Sequence, residues 1–135
     1  MQRCHDVPPA ELQRGIEEFN GGDWFECHET LEELWVGEKG ELRDFYQGLL
    51  QIAVALYHWR NGNLKGALHL LRKGSDCLRR VSAPCQGIDV ARLIEDAGRV
   101  EEALAALGEE RMSELAPHLI PALHQVKPSC ASGEK

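Results

Sequence analysis

The sequence lacks several features that would assign it to a well-defined functional class. It contains no glycine-rich phosphate-binding loop and no Gly-x-Ser-x-Gly turn, so nothing in it indicates nucleotide hydrolysis or esterase chemistry. No apolar run is long enough to cross a bilayer, and the amino terminus has no signal-peptide pattern. We therefore expect a cytoplasmic protein with no membrane partner.

The cysteines also lack a recognisable pattern. There are five of them, an odd number, and no two form a Cys-x-x-Cys pair. Scattered cysteines of this kind predict buried or idle thiols rather than a disulfide framework or a redox pair, which agrees with a cytoplasmic location. The positions are Cys4, Cys27, Cys77, Cys85 and Cys130.

Positive charge is scarce overall, and the formal net charge is -7. Because nucleic-acid binding depends on neutralising phosphates, this balance argues against nucleic acid as a partner. The charge is nevertheless uneven: residues 11 to 44 carry eleven acids against three bases, whereas residues 60 to 80 carry six bases against one acid. This asymmetry predicts an attraction to a charged ligand or partner, including homo-oligomerisation through complementary helical faces.

The apolar residues recur with helical rather than alternating periodicity, which predicts an all-α protein. Gly-Gly and Gly-Asn turns separate the helical segments, and three acidic or amide residues stand where helix caps are expected. Asp23 with Glu26 has the pattern of a capping box, while Asn63 and Asp89 precede two further helices. We expect helices at about 9–20, 23–36, 41–61, 63–81 and 89–107.

A weak repeat of 40 residues appears when Gly22 is aligned with Gly62. Each copy contains a helix, a turn and a second helix, similar to tetratricopeptide hairpins. Two copies are too few for a solenoid, so we expect a compact bundle of about five helices, built from two such hairpins plus a C-terminal helix and tail. Residues 1–125 are predicted to form one domain, and 126–135 a disordered tail.

The third helix carries the main functional argument. Apolar residues occupy most of its circumference, which is typical of a central, buried helix. Its remaining sector is polar, and it faces a histidine and two acids on the second helix. We expect these side chains to meet in a buried polar seam, because a buried polar group without a partner is costly. The seam consists of His28, Glu29, Glu32, Arg43, Gln47, Gln51 and His58.

Three interpretations of the seam remain open. It can be a structural network in which Arg43 pairs with Glu32 or Glu29 and fixes the register of the hairpins. It can hold a divalent transition metal such as iron, zinc or manganese through His28, Glu32 and His58, which would allow metal-dependent catalysis. It can also line a pocket for a small-molecule ligand, in which a histidine exchanges protons. A fourth alternative is that the chain is a protein interaction module.

Two stretches carry a family resemblance: "FNGGDWFECHETLEELW" and "RDFYQGLLQIAVALYHWRNGNLKGALHLL". Their His-Glu-x-x-Glu-x-x-Trp, Arg-x-x-x-Gln-Gly-x-x-Gln and Gly-Asn-x-x-Gly-Ala patterns resemble domain-of-unknown-function family 309. The resemblance implies a compact helical bundle with an unassigned function and supplies no catalytic residues. Its polar positions fall on the seam residues and on Trp35. One departure is Cys27, where alanine is expected.

Overall fold

The structure is a computed structural model that describes residues 4–126. Residues 1–3 and 127–135 lie outside this description, and with them most of the predicted tail. Two short 3-10 turns, Met112–Glu114 and Pro117–Leu119, follow the last helix. The five α-helices are α1 (Ala10–Asn20), α2 (Trp24–Val36), α3 (Gly40–Arg60), α4 (Leu64–Leu78) and α5 (Val90–Arg111).

The all-α prediction is confirmed, and two of the three predicted caps form. The Asn63 side chain accepts a hydrogen bond from Gly66 N at 3.0 Å, and that of Asp89 accepts one from Arg92 N at 3.1 Å. The predicted capping box at Asp23 is wrong, because its side chain makes no cap hydrogen bond. Asp23 is held instead by its backbone N–H, which donates to Glu18 O at 2.8 Å.

The helices pack mainly on their neighbours along the chain: α1 on α2, α2 on α3, α3 on α4 and α4 on α5. Helices α3 and α4 approach each other closely where Gly48 faces Gly74. A Cβ atom at either glycine would lie 3.0 Å from the carbonyl oxygen of the other. The two helices can therefore approach this closely only because both positions lack a side chain. The likeness of the hairpins to tetratricopeptide repeats stays a prediction.

A disulfide between Cys4 and Cys85 ties the N-terminal segment to the loop between α4 and α5. The expectation that these two cysteines are idle thiols is therefore wrong. They lie 81 positions apart in the sequence, and the spacing of the cysteines did not reveal that the fold brings them together. Cys27 and Cys77 are unpaired and buried. Because disulfides persist mainly in oxidising compartments, the cysteines no longer support the predicted cytoplasmic location.

The segment after α5, residues 112–126, is called the return segment because it runs back to α1 and to the loop between α4 and α5. Asn20 on α1 exchanges two hydrogen bonds with the backbone of Leu123. Val126 N donates to Gly87 O at 2.8 Å, and an isolated β-bridge links Ile88 to Gln125. A second isolated bridge links Cys85 to Ile88. Residues 4–126 contain no β-strand. The return segment holds the C-terminal part of the described chain against α1 and the loop after α4.

The core contains buried residues from every helix and from the return segment, including Phe45, Tyr46, Ile52 and Leu123. Only one side of α3 contributes to it. The opposite side of this helix, which carries the polar residues, is half-buried or exposed between α2 and α4. Within residues 4–126 no helix is both long and apolar enough to cross a membrane. The cytoplasmic location stays a prediction.

Candidate functional site

The predicted seam residues do not form a buried seam, and this expectation is wrong. Consecutive helices lie side by side, so within residues 4–126 the polar side of α3 is half-buried or exposed rather than enclosed. The apolar residues that appeared to surround α3 cover its inner face and its contacts with α2 and α4. Three of the seven site residues are exposed, namely Glu29, Glu32 and Arg43. The other four are half-buried: His28, Gln47, Gln51 and His58.

The predicted metal ligands are not assembled into a site. His28 Nε2 lies 3.9 Å from Glu32 Oε1, whereas His58 is turned toward α4, with its Nδ1 3.3 Å from the Asn63 side-chain amide. Throughout residues 4–126 no group of three or more His, Cys, Asp or Glu side chains could hold a metal ion. The structure therefore does not bring the predicted two-histidine, one-carboxylate set together, because the two histidines face different neighbours.

Arg43 stacks on an aromatic ring instead of pairing with an acid. Its guanidinium lies 4.3 Å from the centre of the Trp35 ring, and Nη1 reaches Glu38 O at 3.5 Å. In the described part of the chain it forms no ion pair with Glu29 or Glu32, which were its predicted partners. This cation-π contact joins the end of α2 to the start of α3.

Gln51 and His58 connect α3 to α4. The Cys77 thiol lies 3.7 Å from Gln51 Oε1, where it can donate a hydrogen bond, and burial raises the pKa of that thiol. The Asn63 amide that approaches His58 also caps α4 through its oxygen. These two seam residues therefore contact side chains of α4 and of its N-cap.

We expect the His58→Ala variant to lose only about 1 kcal/mol of unfolding free energy, the typical contribution of one hydrogen bond. The Asn63→Ala variant should lose more, about 1–2 kcal/mol, because it removes both this contact and the cap of α4. Urea unfolding of the two variants beside the parent protein measures the difference. If His58→Ala alone lowered the unfolding free energy by several kcal/mol, His58 would contribute more to stability than its half-buried position predicts.

An aromatic cluster surrounds His28 at the α2–α3 boundary. The Phe25 ring lies 6.0 Å from the His28 ring and 5.6 Å from the Tyr57 ring, centre to centre. Phe25 is 46% exposed although it is large and apolar. Exposed aromatic side chains beside polar groups are typical of binding surfaces.

Three buried side-chain nitrogens on α2 have no hydrogen-bond partner in the described part of the chain: Trp24 Nε1, His28 Nδ1 and Trp35 Nε1. They lie at intervals of four and seven residues, which places them on one side of the helix. A buried polar group left without a partner costs about 1–3 kcal/mol. Within residues 4–126, the side of α2 that faces α3 therefore carries three buried nitrogens whose hydrogen-bonding capacity is unused.

A second set of residues on α2 was not recognised as a set in the sequence, although two of its members, Glu29 and Glu32, were predicted seam residues. The intervals of four, three and four residues place Phe25, Glu29, Glu32 and Val36 within about 60° of one another around the helix. All four are exposed, Val36 to 67%. We call this set the recognition stripe. The spacing was available in the sequence, but only the fold showed that this side of α2 is uncovered.

The recognition stripe lies in the most acidic part of the chain. Residues 23 to 38 contain six acids and no Lys or Arg. Five of the acids are exposed, and none of these five pairs with a Lys or Arg in the described part of the chain. The stripe therefore has apolar residues at both ends and uncompensated negative charge between them and beside them.

Within residues 4–126, neither the cavity beside α5 nor the Cys27 thiol adds chemistry to this face. A shallow cavity of about 510 Å³ is lined by Asp89 and by residues of α5, and it includes none of the predicted site residues. The Cys27 thiol next to His28 donates to Gly15 O at 3.3 Å. Burial, reinforced by Glu18, raises its pKa to about 12, so it is not an activated nucleophile.

Comparison with known proteins identifies the family. The model described as "Domain of unknown function (DUF309)" matches residues 12–70. A solved structure of the conserved hypothetical protein TTHA0068 from Thermus thermophilus is 31% identical, with a TM-score of 0.62, and the match covers 72% of this chain and 99% of that chain. The chain belongs to the DUF309 family. The sequence resemblance is therefore confirmed.

The similar proteins found among the curated proteins are uncharacterized. The protein YpuF of Bacillus subtilis is 36% identical over 91 residues, which are 65% of this chain and 52% of that protein. A protein of Aquifex aeolicus is 32% identical over 56 residues, 41% of this chain and 17% of its own length. The chain thus spans about half, or less, of these relatives. Their descriptions assign no activity.

Proposed function

We propose that this DUF309 protein is a protein-recognition module whose docking surface is the recognition stripe and the aromatic residues beside it. One observation carries the proposal: of the three large hydrophobic side chains exposed in residues 4–126, two lie on the same side of α2. The third is Val7, far from α2 in sequence. Exposed apolar residues that align along one helix are typical of interaction sites, whereas isolated ones are common on any surface.

Six of the seven seam residues divide between two roles in this proposal. His28, Glu29 and Glu32 belong to the docking surface, and Arg43 extends it by stacking on Trp35. Gln51 and His58 support the surface from behind by fixing α3 against α4. The mixture of aromatic rings, an arginine and a histidine resembles the residues that contribute most energy at protein interfaces.

The other functions considered from the sequence have less support. A small-molecule site calls for a concave pocket that encloses its ligand, and none of the predicted residues lines the shallow cavity on α5. A homo-oligomer held by charge would need free bases on α4. Of the bases on or just after α4, Arg72 pairs with Glu101, Arg79 with Asp76 and Arg80 with Asp44. This leaves only Lys65 and Lys73 of α4 exposed and without an acidic partner in the described part of the chain.

Photo-cross-linking in cells that naturally produce the protein tests the proposal. A photoreactive phenylalanine analogue at position 25 should give a discrete cross-linked product, because this side chain would be covered by the partner. The same analogue at Ala106, which is exposed on α5, should give none. Gel electrophoresis and mass spectrometry detect the product.

A charge variant distinguishes docking from chance contact. The product at position 25 should disappear when Glu32→Lys is added and persist when Glu102→Lys is added, since Glu102 is an exposed acid on α5. No product at position 25, or equal products at positions 25 and 106, would rule out the recognition stripe as a docking surface.

A further inference from the structure

We propose that the partner of the recognition stripe is a basic amphipathic helix of another protein, an inference that rests on the proposed function. The stripe runs from Phe25 to Val36, eleven residues apart and about 16 Å along the helix axis. Its order is apolar, acidic, acidic, apolar. A partner helix with apolar residues at the two ends and Lys or Arg between them matches this order position by position.

Further acids beside the stripe add to its preference for a positively charged partner. Glu26 and Glu33 are exposed on the side of α2 away from α3, and neither has a Lys or Arg within ion-pair distance in the described part of the chain. Glu32 has only the half-buried His28 near it, at 3.9 Å. Because no base on α2 neutralises these acids, a cationic partner gains attraction along the whole helix.

The same charges disfavour other occupants. An anionic membrane surface or a nucleic acid would be repelled by the acids of α2. A second copy that presented its own stripe would bring Glu29 and Glu32 against identical acids. Its α4 region would offer the stripe only two unpaired bases in the described residues, Lys65 and Lys73, because Arg72, Arg79 and Arg80 already pair with acids. The basic helix of a different protein is the occupant that these contacts favour.

Titration with designed peptides tests the inference. The probes are three amphipathic peptides of about 18 residues, long enough to match the stripe, that share apolar positions and carry Lys, Glu or Gln at the polar ones. Two-dimensional NMR spectra of the ¹⁵N-labelled protein report which amides respond. We expect the Lys peptide to shift resonances of residues 24–36 and to bind more weakly as salt is raised, because exposed charges are screened.

Matched charge reversals separate the stripe from the protein's overall negative charge. Glu29→Lys/Glu32→Lys should weaken binding of the Lys peptide about tenfold or more, as expected when attraction is replaced by repulsion. Glu102→Lys/Glu109→Lys changes the net charge equally at exposed positions of α5 and should leave binding within about twofold, because those residues are outside the stripe. Equal weakening by both pairs would overturn the inference.

The remaining outcomes distinguish this inference from the proposed function. If the Gln or Glu peptide binds α2 as tightly as the Lys peptide, the basic partner is wrong and the docking surface stands. Self-association that only the Glu29→Lys/Glu32→Lys variant abolishes would identify a second copy as the occupant. If no peptide shifts α2 resonances, the inference fails, and cross-linking at position 25 alone decides the proposed function.

Discussion

The Cys4→Ser/Cys85→Ser variant is expected to lose about 4 kcal/mol of unfolding free energy, because the disulfide closes a loop of 81 residues and so restricts the unfolded chain. The effect is large because the bond also holds the N-terminal segment in place. Cys4 O accepts hydrogen bonds from Gln86 N at 2.7 Å and from the Gln86 side chain at 3.3 Å. Urea unfolding under oxidising conditions measures the loss.

Reduction of the parent protein provides the matched control. With a thiol reductant present, the parent should unfold at nearly the same urea concentration as the double variant, whereas the variant should not respond to the reductant. Peptide mapping without reduction should recover the peptides containing Cys4 and Cys85 as a linked pair. A parent protein whose midpoint is unchanged by reductant would contradict a structural role for the bond.

The second large effect is expected at the α3–α4 contact. Gly74→Ala should destabilise the protein by about 2–3 kcal/mol, because the added methyl group overpacks a site that cannot easily open. Its Cβ would lie 2.8 Å from Ile52 Cγ1, 3.0 Å from Gly48 O and 3.2 Å from Ile52 N. Two of these three atoms belong to the backbone of α3, so relief requires the helices to separate.

Gly98→Ala is the matched control for this substitution. Gly98 lies inside α5, and a Cβ atom there would have no neighbour within 4 Å. Alanine should therefore stabilise the protein by about 0.5–1 kcal/mol, since it restricts the unfolded chain and favours the helix. If urea unfolding shows that Gly74→Ala lowers the unfolding free energy and Gly98→Ala raises it, tight α3–α4 packing is supported. Similar small changes in both variants would show that the contact is loose.

The positions of the helices were largely predictable, because the signals that begin and end a helix are local. Asn63 and Asp89 cap helices as expected, and Gly108 has a non-helical φ of 78° near the end of α5. The capping box at Asp23 failed although its residues were suitable, since the adjoining turn holds Asp23 through its backbone. Local chemistry permits a cap, but the neighbouring turn decides whether it forms.

The site was predicted less well. Periodicity correctly placed His28 and Glu32 one turn apart on the same side of α2, but it could not show whether another element covers that side. It also placed Arg43 in the polar stripe facing these acids, but Arg43 stacks on Trp35 instead of pairing with an acid. Which residues share a helix face follows from helical geometry, whereas their partners depend on how the helices are arranged.

The amino-acid sequence by itself determined the five helices, most of their ends, the strongly acidic second helix and the DUF309 resemblance. All of these depend on residues close together in the chain. Only the tertiary structure decided that the polar side of α3 is open, that Cys4 meets Cys85, and that Phe25 and Val36 remain exposed. These features depend on contacts between distant segments, whose geometry follows from packing the whole core rather than from any local pattern.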